Sequence, residues 1–143
     1  MKRLMSIIVI AVLVVIIALE ALPYGAVLNF AVAPDSGGGY IRETFSYFSL
    51  IPFGYASFGP LLTAVMSIVL LALFIIWLFA NKAGLLTASF VCCTIAFATS
   101  LLPALYGVAY LSVIGVIISL LFAADLTVIW NLRKLYNKGT GQK

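Results

Sequence analysis

The chain has no histidine, and its 143 residues include only two cysteines. Lacking histidine, it lacks the commonest general base and transition-metal ligand. The two cysteines, Cys92 and Cys93, are adjacent in an apolar run. Neighbouring cysteines bridge only with strain, and two alone build no disulfide framework, so they carry no information about redox compartment. Charge is scarce: eight Lys or Arg and four Asp or Glu, 8% of the chain. A soluble domain of this length needs more charge than that to cover its surface, so the solvent for most of it must be lipid. The net charge of +4 is not interleaved with aromatic residues; the basic side chains flank apolar runs, which argues against a nucleic-acid partner. No nucleophile–base pair and no phosphate-cradling loop is present, so neither an enzyme nor a cofactor is expected.

What is present is 65% hydrophobic residues, gathered into four runs of about 20 residues, each long enough to cross a bilayer as a helix. The expected fold is an all-α integral membrane protein, an antiparallel four-transmembrane-helix bundle forming one membrane domain over 1–143. Helices are expected at about 4–22, 61–79, 85–105 and 108–130, with an outer loop at 23–60 and a polar, frayed tail at 131–143. The first run exceeds the roughly 7–15 apolar residues of a secretory signal and has no small-residue cleavage site after it, so it reads as a retained helix. The joints are unequal: one long, one of about four residues, one of about two. Lys2, Arg3, Lys82, Arg133, Lys134, Lys138 and Lys143 fall on one side of the four spans and Arg42 alone on the other. Positive residues stay in the cytoplasm, which puts both termini inside and 23–60 outside the cell membrane. Trp77 and Trp130 are then expected at the inner interface.

The outer loop holds four of the five prolines and nine of the seventeen Phe and Tyr. Gly37 to Gly39 free the backbone locally, but a flexible linker would not expose Phe45, Tyr47, Phe48, Phe53, Tyr55 and Phe58 to water. The segment is expected to be partly ordered and to touch something: membrane lipid, a membrane-protein partner or a second copy of the chain. A small non-enzymatic polytopic membrane protein binding through this aromatic surface is the leading reading.

Small residues recur every fourth position at Ala88, Cys92, Ala96 and Ser100, and again at Gly115, Ser119 and Ala123. Folding the hairpin at Leu105–Tyr106 sets 88 against 123, 92 against 119 and 96 against 115, a seam where helices approach closely. On this reading the cysteines are packing residues. The outer ends of the first and third spans are alike (Leu22-Pro23-Tyr24-Gly25 and Leu102-Pro103-Ala104-Leu105-Tyr106-Gly107), although Pro, Tyr and Gly each favour a helix exit independently.

Two acids lie within the runs. Glu20, one turn inside the outer boundary, reads first as an interfacial carboxylate that reaches water or pairs with Arg42. Asp125, five residues before Trp130, reads as an anchor paired with Lys82, Arg3 or Arg133. The two are expected at opposite ends of the bundle. The setting Ala18-Leu19-Glu20-Ala21 resembles the first helix of small multidrug transporters, four-helix proteins with a membrane-embedded glutamate. The resemblance implies Glu20 as a proton- or cation-coupling carboxylate in a small transporter or channel subunit, the alternative reading. That family's glutamate lies near mid-membrane and its loops are short; here the acid is nearer an end and the outer loop is long. The helix count and long first outer loop are also similar to claudin-like tetraspan proteins, but this loop lacks their two cysteines and tryptophan. That second resemblance implies nothing beyond helix number and loop placement.

Overall fold

The computed structural model describes residues 2–140; Met1 and residues 141–143, including Lys143 of the expected tail, lie outside them. Four long helices account for most of the chain: α1 Lys2–Ala21, α3 Gly59–Ala80, α4 Ala83–Ser100 and α6 Val113–Thr140. The short helices α2 Leu50–Gly54 and α5 Leu102–Leu105 lie in the connections. Backbone amides and carbonyls surrounded by apolar side chains must bond within their own segment, so such runs become helices even where β-branched residues abound. Their limits follow local chemistry. Pro60 opens α3 at a position where its missing N–H costs nothing. Asn81 closes α3 in the left-handed conformation (φ 48°), its N–H returning to the Trp77 carbonyl. Ser112 caps α6, its Oγ accepting the Gly115 N–H at 2.8 Å.

The long helices are apolar enough to cross a membrane, and only 28–33% of the residues in each apolar window are buried. The outward residues, such as Ile7, Val14, Ile68, Ile76, Val91 and Leu120, are large, apolar and 50–65% exposed, a surface suited to lipid. α1 packs on α3 and α6, and α4 packs on the same two helices. Leu13, Ile16, Leu70, Phe74, Ile118 and Phe122 meet at the centre with no exposure.

The 23–60 loop is more ordered than expected, and part of it is not helical. Strands β1 Ala26–Ala31 and β2 Tyr40–Phe45 pair antiparallel, Ala26 opposite Phe45 and Asn29 opposite Arg42. The turn runs through Gly37, Gly38 and Gly39 at φ 101°, 65° and 110°, a run of left-handed conformations that only glycine adopts cheaply. Asn29 and Arg42, neighbours on one face of the hairpin, donate to the carbonyls of Ala109 (3.2 Å) and Leu111 (2.8 Å). The hairpin is thus tied to the α5–α6 connection.

That connection corrects the sequence reading. The joint expected to be about two residues long spans 101–112 and contains α5 and a 3-10 turn at Val108–Tyr110. The fourth helix begins at Val113 rather than 108, and it continues as helix to Thr140 through most of the expected tail. The α4–α6 seam shifts accordingly. Ser119 meets Ser100, their hydroxyls 2.9 Å apart, and the Cys93 thiol lies 3.8 Å from the Phe122 carbonyl. The expected pairings of 92 with 119 and 96 with 115 are displaced by about one to two turns. Ala88 is exposed and lies outside the seam, while Cys92 turns to α3, 3.5 Å from the Met66 carbonyl. Ala96, Ser100, Gly115 and Ser119 are buried and Ala123 is half-buried. Trp77 is 4% exposed and so faces inward; Trp130, 44% exposed, packs on Phe90 at 5.4 Å under the Lys134 ammonium.

Candidate functional site

The inward faces of the four long helices bury hydroxyls at several levels and two carboxyls. Glu20 has no exposure, and its Oε2 accepts the Ser67 hydroxyl at 2.6 Å. The Ala64 carbonyl, 2.9 Å from the same hydroxyl, is the competing acceptor. Glu20 Oε1 has no partner. Asp125 is 1% exposed, and neither of its oxygens has a partner. Neither carboxyl forms an ion pair among the described residues. Both interfacial readings are therefore corrected: Glu20 reaches neither water nor Arg42, whose guanidinium bonds Leu111, and Asp125 is not anchored by Lys82, Arg3 or Arg133.

The placement of Asp125 is corrected too. Ser67 stands eight residues into α3, about 12 Å from its start. Contacts link the helices one to the next: Glu20 to Ser67, Met66 to Cys92, Cys93 to Phe122. Glu20 stands one residue from the end of α1, while Asp125 follows Phe122 by three residues within α6 rather than lying at its far end. Asp125 is near the middle of α6, about 18 Å from Val113. Burying carboxyl oxygens without partners is costly, and Glu20 leaves one unpartnered and Asp125 both.

Beside Glu20 sits Tyr47, 1% exposed. Its N–H donates to the Glu20 carbonyl at 2.9 Å, which fixes the loop to the end of α1. The ring occupies the space that a side chain at Gly25 would take: an ideal Cβ there would meet the ring at 2.8 Å. Its hydroxyl lies beside Gly115, and Ser112 donates to the Gly25 carbonyl at 2.5 Å. Burial, reinforced by the Glu20 carboxyl, pushes the Tyr47 hydroxyl above the usual tyrosine range, so it stays neutral at physiological pH. Tyr47 is a plug between α1 and α6, not part of a partner-binding surface.

The other aromatic candidates divide. Phe45 is half-buried and packs on the core. Phe53 and Phe58 form an edge-to-face pair at 4.9 Å, Tyr55 stands edge-on to Phe30 at 5.2 Å, and all three candidates remain 41–65% exposed. Phe48 is 37% exposed. Ser67 and Ser112 went unnoticed in the sequence. Thr63 and Ser67 are four apart in an otherwise apolar run, which places both hydroxyls on one helix face; Thr63 bonds Thr99 at 2.9 Å as Ser67 bonds Glu20. No family model, no curated protein and no solved structure matches the chain.

Proposed function

We propose that this is a small multi-pass protein of the cell membrane, an antiparallel four-helix bundle with both termini cytoplasmic and the hairpin and α2 outside. On this reading it belongs to the transporter or channel-subunit class, and Glu20 and Asp125 take up and release a proton or a small cation. The observation that carries it is the presence of two buried carboxyls, three of whose four oxygens have no partner. Acids inside a membrane are expensive and mark ion or proton routes. No lysine or arginine pairs with either carboxyl among the described residues. The orientation rests on the Lys and Arg distribution. A cytoplasm-only reporter placed after Lys143 or at Lys82–Ala83 should be active, and one inserted at Gly37–Gly39 should be silent; the reverse pattern would invert the protein.

The functional test is flux. Purified protein in vesicles enclosing a pH-sensitive dye should dissipate an imposed proton or sodium gradient faster than protein-free vesicles. Glu20→Gln and Asp125→Asn should return the rate to the background leak while eluting as folded protein. A wild-type rate equal to background would end this reading. The second reading, partner or lipid binding through the outer aromatic surface, is favoured by the cluster of Leu50, Ile51, Phe53, Tyr55 and Phe58, all at least 41% exposed. There the damaging change would be serine at Phe53, Tyr55 and Phe58, with Glu20→Gln silent.

A further inference from the structure

At the opposite end of the molecule from the hairpin, a cleft of about 310 Å³ opens between the start of α1 and the end of α3. Lys2, Arg3, Ser6, Trp77, Leu78 and Asn81 line it. We propose that this cleft binds the phosphate headgroup of an acidic phospholipid. Its polar character is one-sided: two cations, an amide and a hydroxyl line it, with no acid among the described residues. The half-charges at the N-terminus of α1 and the C-terminus of α3 oppose each other, so the two full cationic charges decide the sign.

Topology markers alone would explain a lysine and an arginine at a helix start. They do not explain Trp77. Its indole forms part of the cleft wall and is 4% exposed, yet Nε1 has no acceptor. A buried indole N–H normally has one. The nearby polar groups do not reach it: the Ser6 hydroxyl donates to the Lys2 carbonyl at 2.9 Å, the Asn81 carbonyl accepts from the Tyr136 hydroxyl at 2.7 Å, and neither bonds Nε1. An anionic oxygen entering the cleft would give the indole its acceptor while neutralising Lys2 and Arg3.

The neighbouring surface points to a lipid over free phosphate. Leu4 and Ile7, on the same turns of α1, are 62% and 61% exposed, and Leu78 of the cleft wall is 43% exposed. An acyl chain descending from a headgroup in the cleft would lie along these side chains. Basic pockets between membrane helices on the cytoplasmic side recognise acidic headgroups by this combination.

Trp77 can report its own ligand, because the chain has only one other tryptophan, Trp130. Detergent-solubilised Trp130→Phe protein would be titrated with phosphatidylglycerol or phosphatidylcholine, each brominated in its acyl chains. Phosphatidylglycerol should quench Trp77 at an about tenfold lower concentration, the scale expected for two basic side chains at an anionic lipid. The preference should vanish in Lys2→Ala/Arg3→Ala. It should vanish also in Asn81→Asp, which adds a negative charge to the cleft and leaves the basic N-terminus intact. Equal quenching by both lipids, or a preference surviving both variants, overturns the proposal. Millimolar inorganic phosphate that alone produces the full Trp77 emission change and blocks phosphatidylglycerol would assign the cleft to free phosphate and overturn it equally.

Discussion

Replacing Gly115 by leucine should cost the fold about 1–3 kcal/mol or more, whereas leucine two residues earlier, at Val113, should be mild. Gly115 is buried where three elements converge. Even a bare Cβ there would meet the Ser112 hydroxyl oxygen at 2.9 Å, the Tyr47 hydroxyl at 3.0 Å and the Gly25 carbonyl at 3.5 Å. A leucine must expel Tyr47. That would disturb the Tyr47 N–H bond to Glu20 and the Ser112 bonds that start α6, so the loss spreads from one contact to the whole outer cap. Val113 is 78% exposed and has room. The two free cysteines provide the measurement, since Cys92 and Cys93 are 6% and 0% exposed and should label with a thiol dye only as the helices separate. Gly115→Leu should lower the temperature of labelling clearly, Ala96→Leu similarly because Ala96 has no exposure, and Val113→Leu hardly at all. Equal midpoints at the three sites would show that this junction is not tightly packed.

The same junction marks where sequence reasoning succeeded and where it stopped. Length and apolarity decide whether a segment can span a bilayer, and these are local properties, so four apolar helices were readable. Helix register is not local. Small residues four apart advance about 40° around a helix at each step, so a row from 88 to 100 rotates by about 120°. Ala88 consequently points outward while Ser100 points inward. The buried positions Ser89, Cys93, Ala96 and Ser100 alternate steps of four and three, which cancels that drift. Pro103 and Gly107 suggested a tight reversal. In the structure α5 occupies Leu102–Leu105 and a 3-10 turn follows at Val108–Tyr110, where Asn29 and Arg42 of the hairpin bond the carbonyls of Ala109 and Leu111. That bonding of one loop to another, 69 and 80 residues away, leaves no local trace. The site was half legible: Glu20 and Asp125 stood out by residue type, but their burial came from packing.

Asp125→Leu should stabilise the protein while abolishing flux, an opposition that separates a functional acid from a structural one. Asp125 is 1% exposed and both oxygens lack partners, so folding strips water from the carboxyl and gives no hydrogen bond back. Leaving a buried polar group unsatisfied costs about 1–3 kcal/mol, and a well-packed apolar replacement of similar size recovers much of that. The carboxyl lies beside apolar neighbours such as Phe122 and Ile129, both without exposure, which a leucine suits. Cysteine labelling of Asp125→Leu should therefore shift to higher temperature, with Asp125→Asn near the wild type because the amide is as poorly partnered as the acid. In vesicles both variants should lose the gradient-dissipating activity, the usual sign of a site whose chemistry is kept at the expense of stability. Glu20→Leu should behave differently, since it also removes the acceptor of the Ser67 hydroxyl; it should gain less stability than Asp125→Leu. If Asp125→Leu instead melts well below the wild type, the carboxyl is holding the helices together, and its part in ion movement falls with that result.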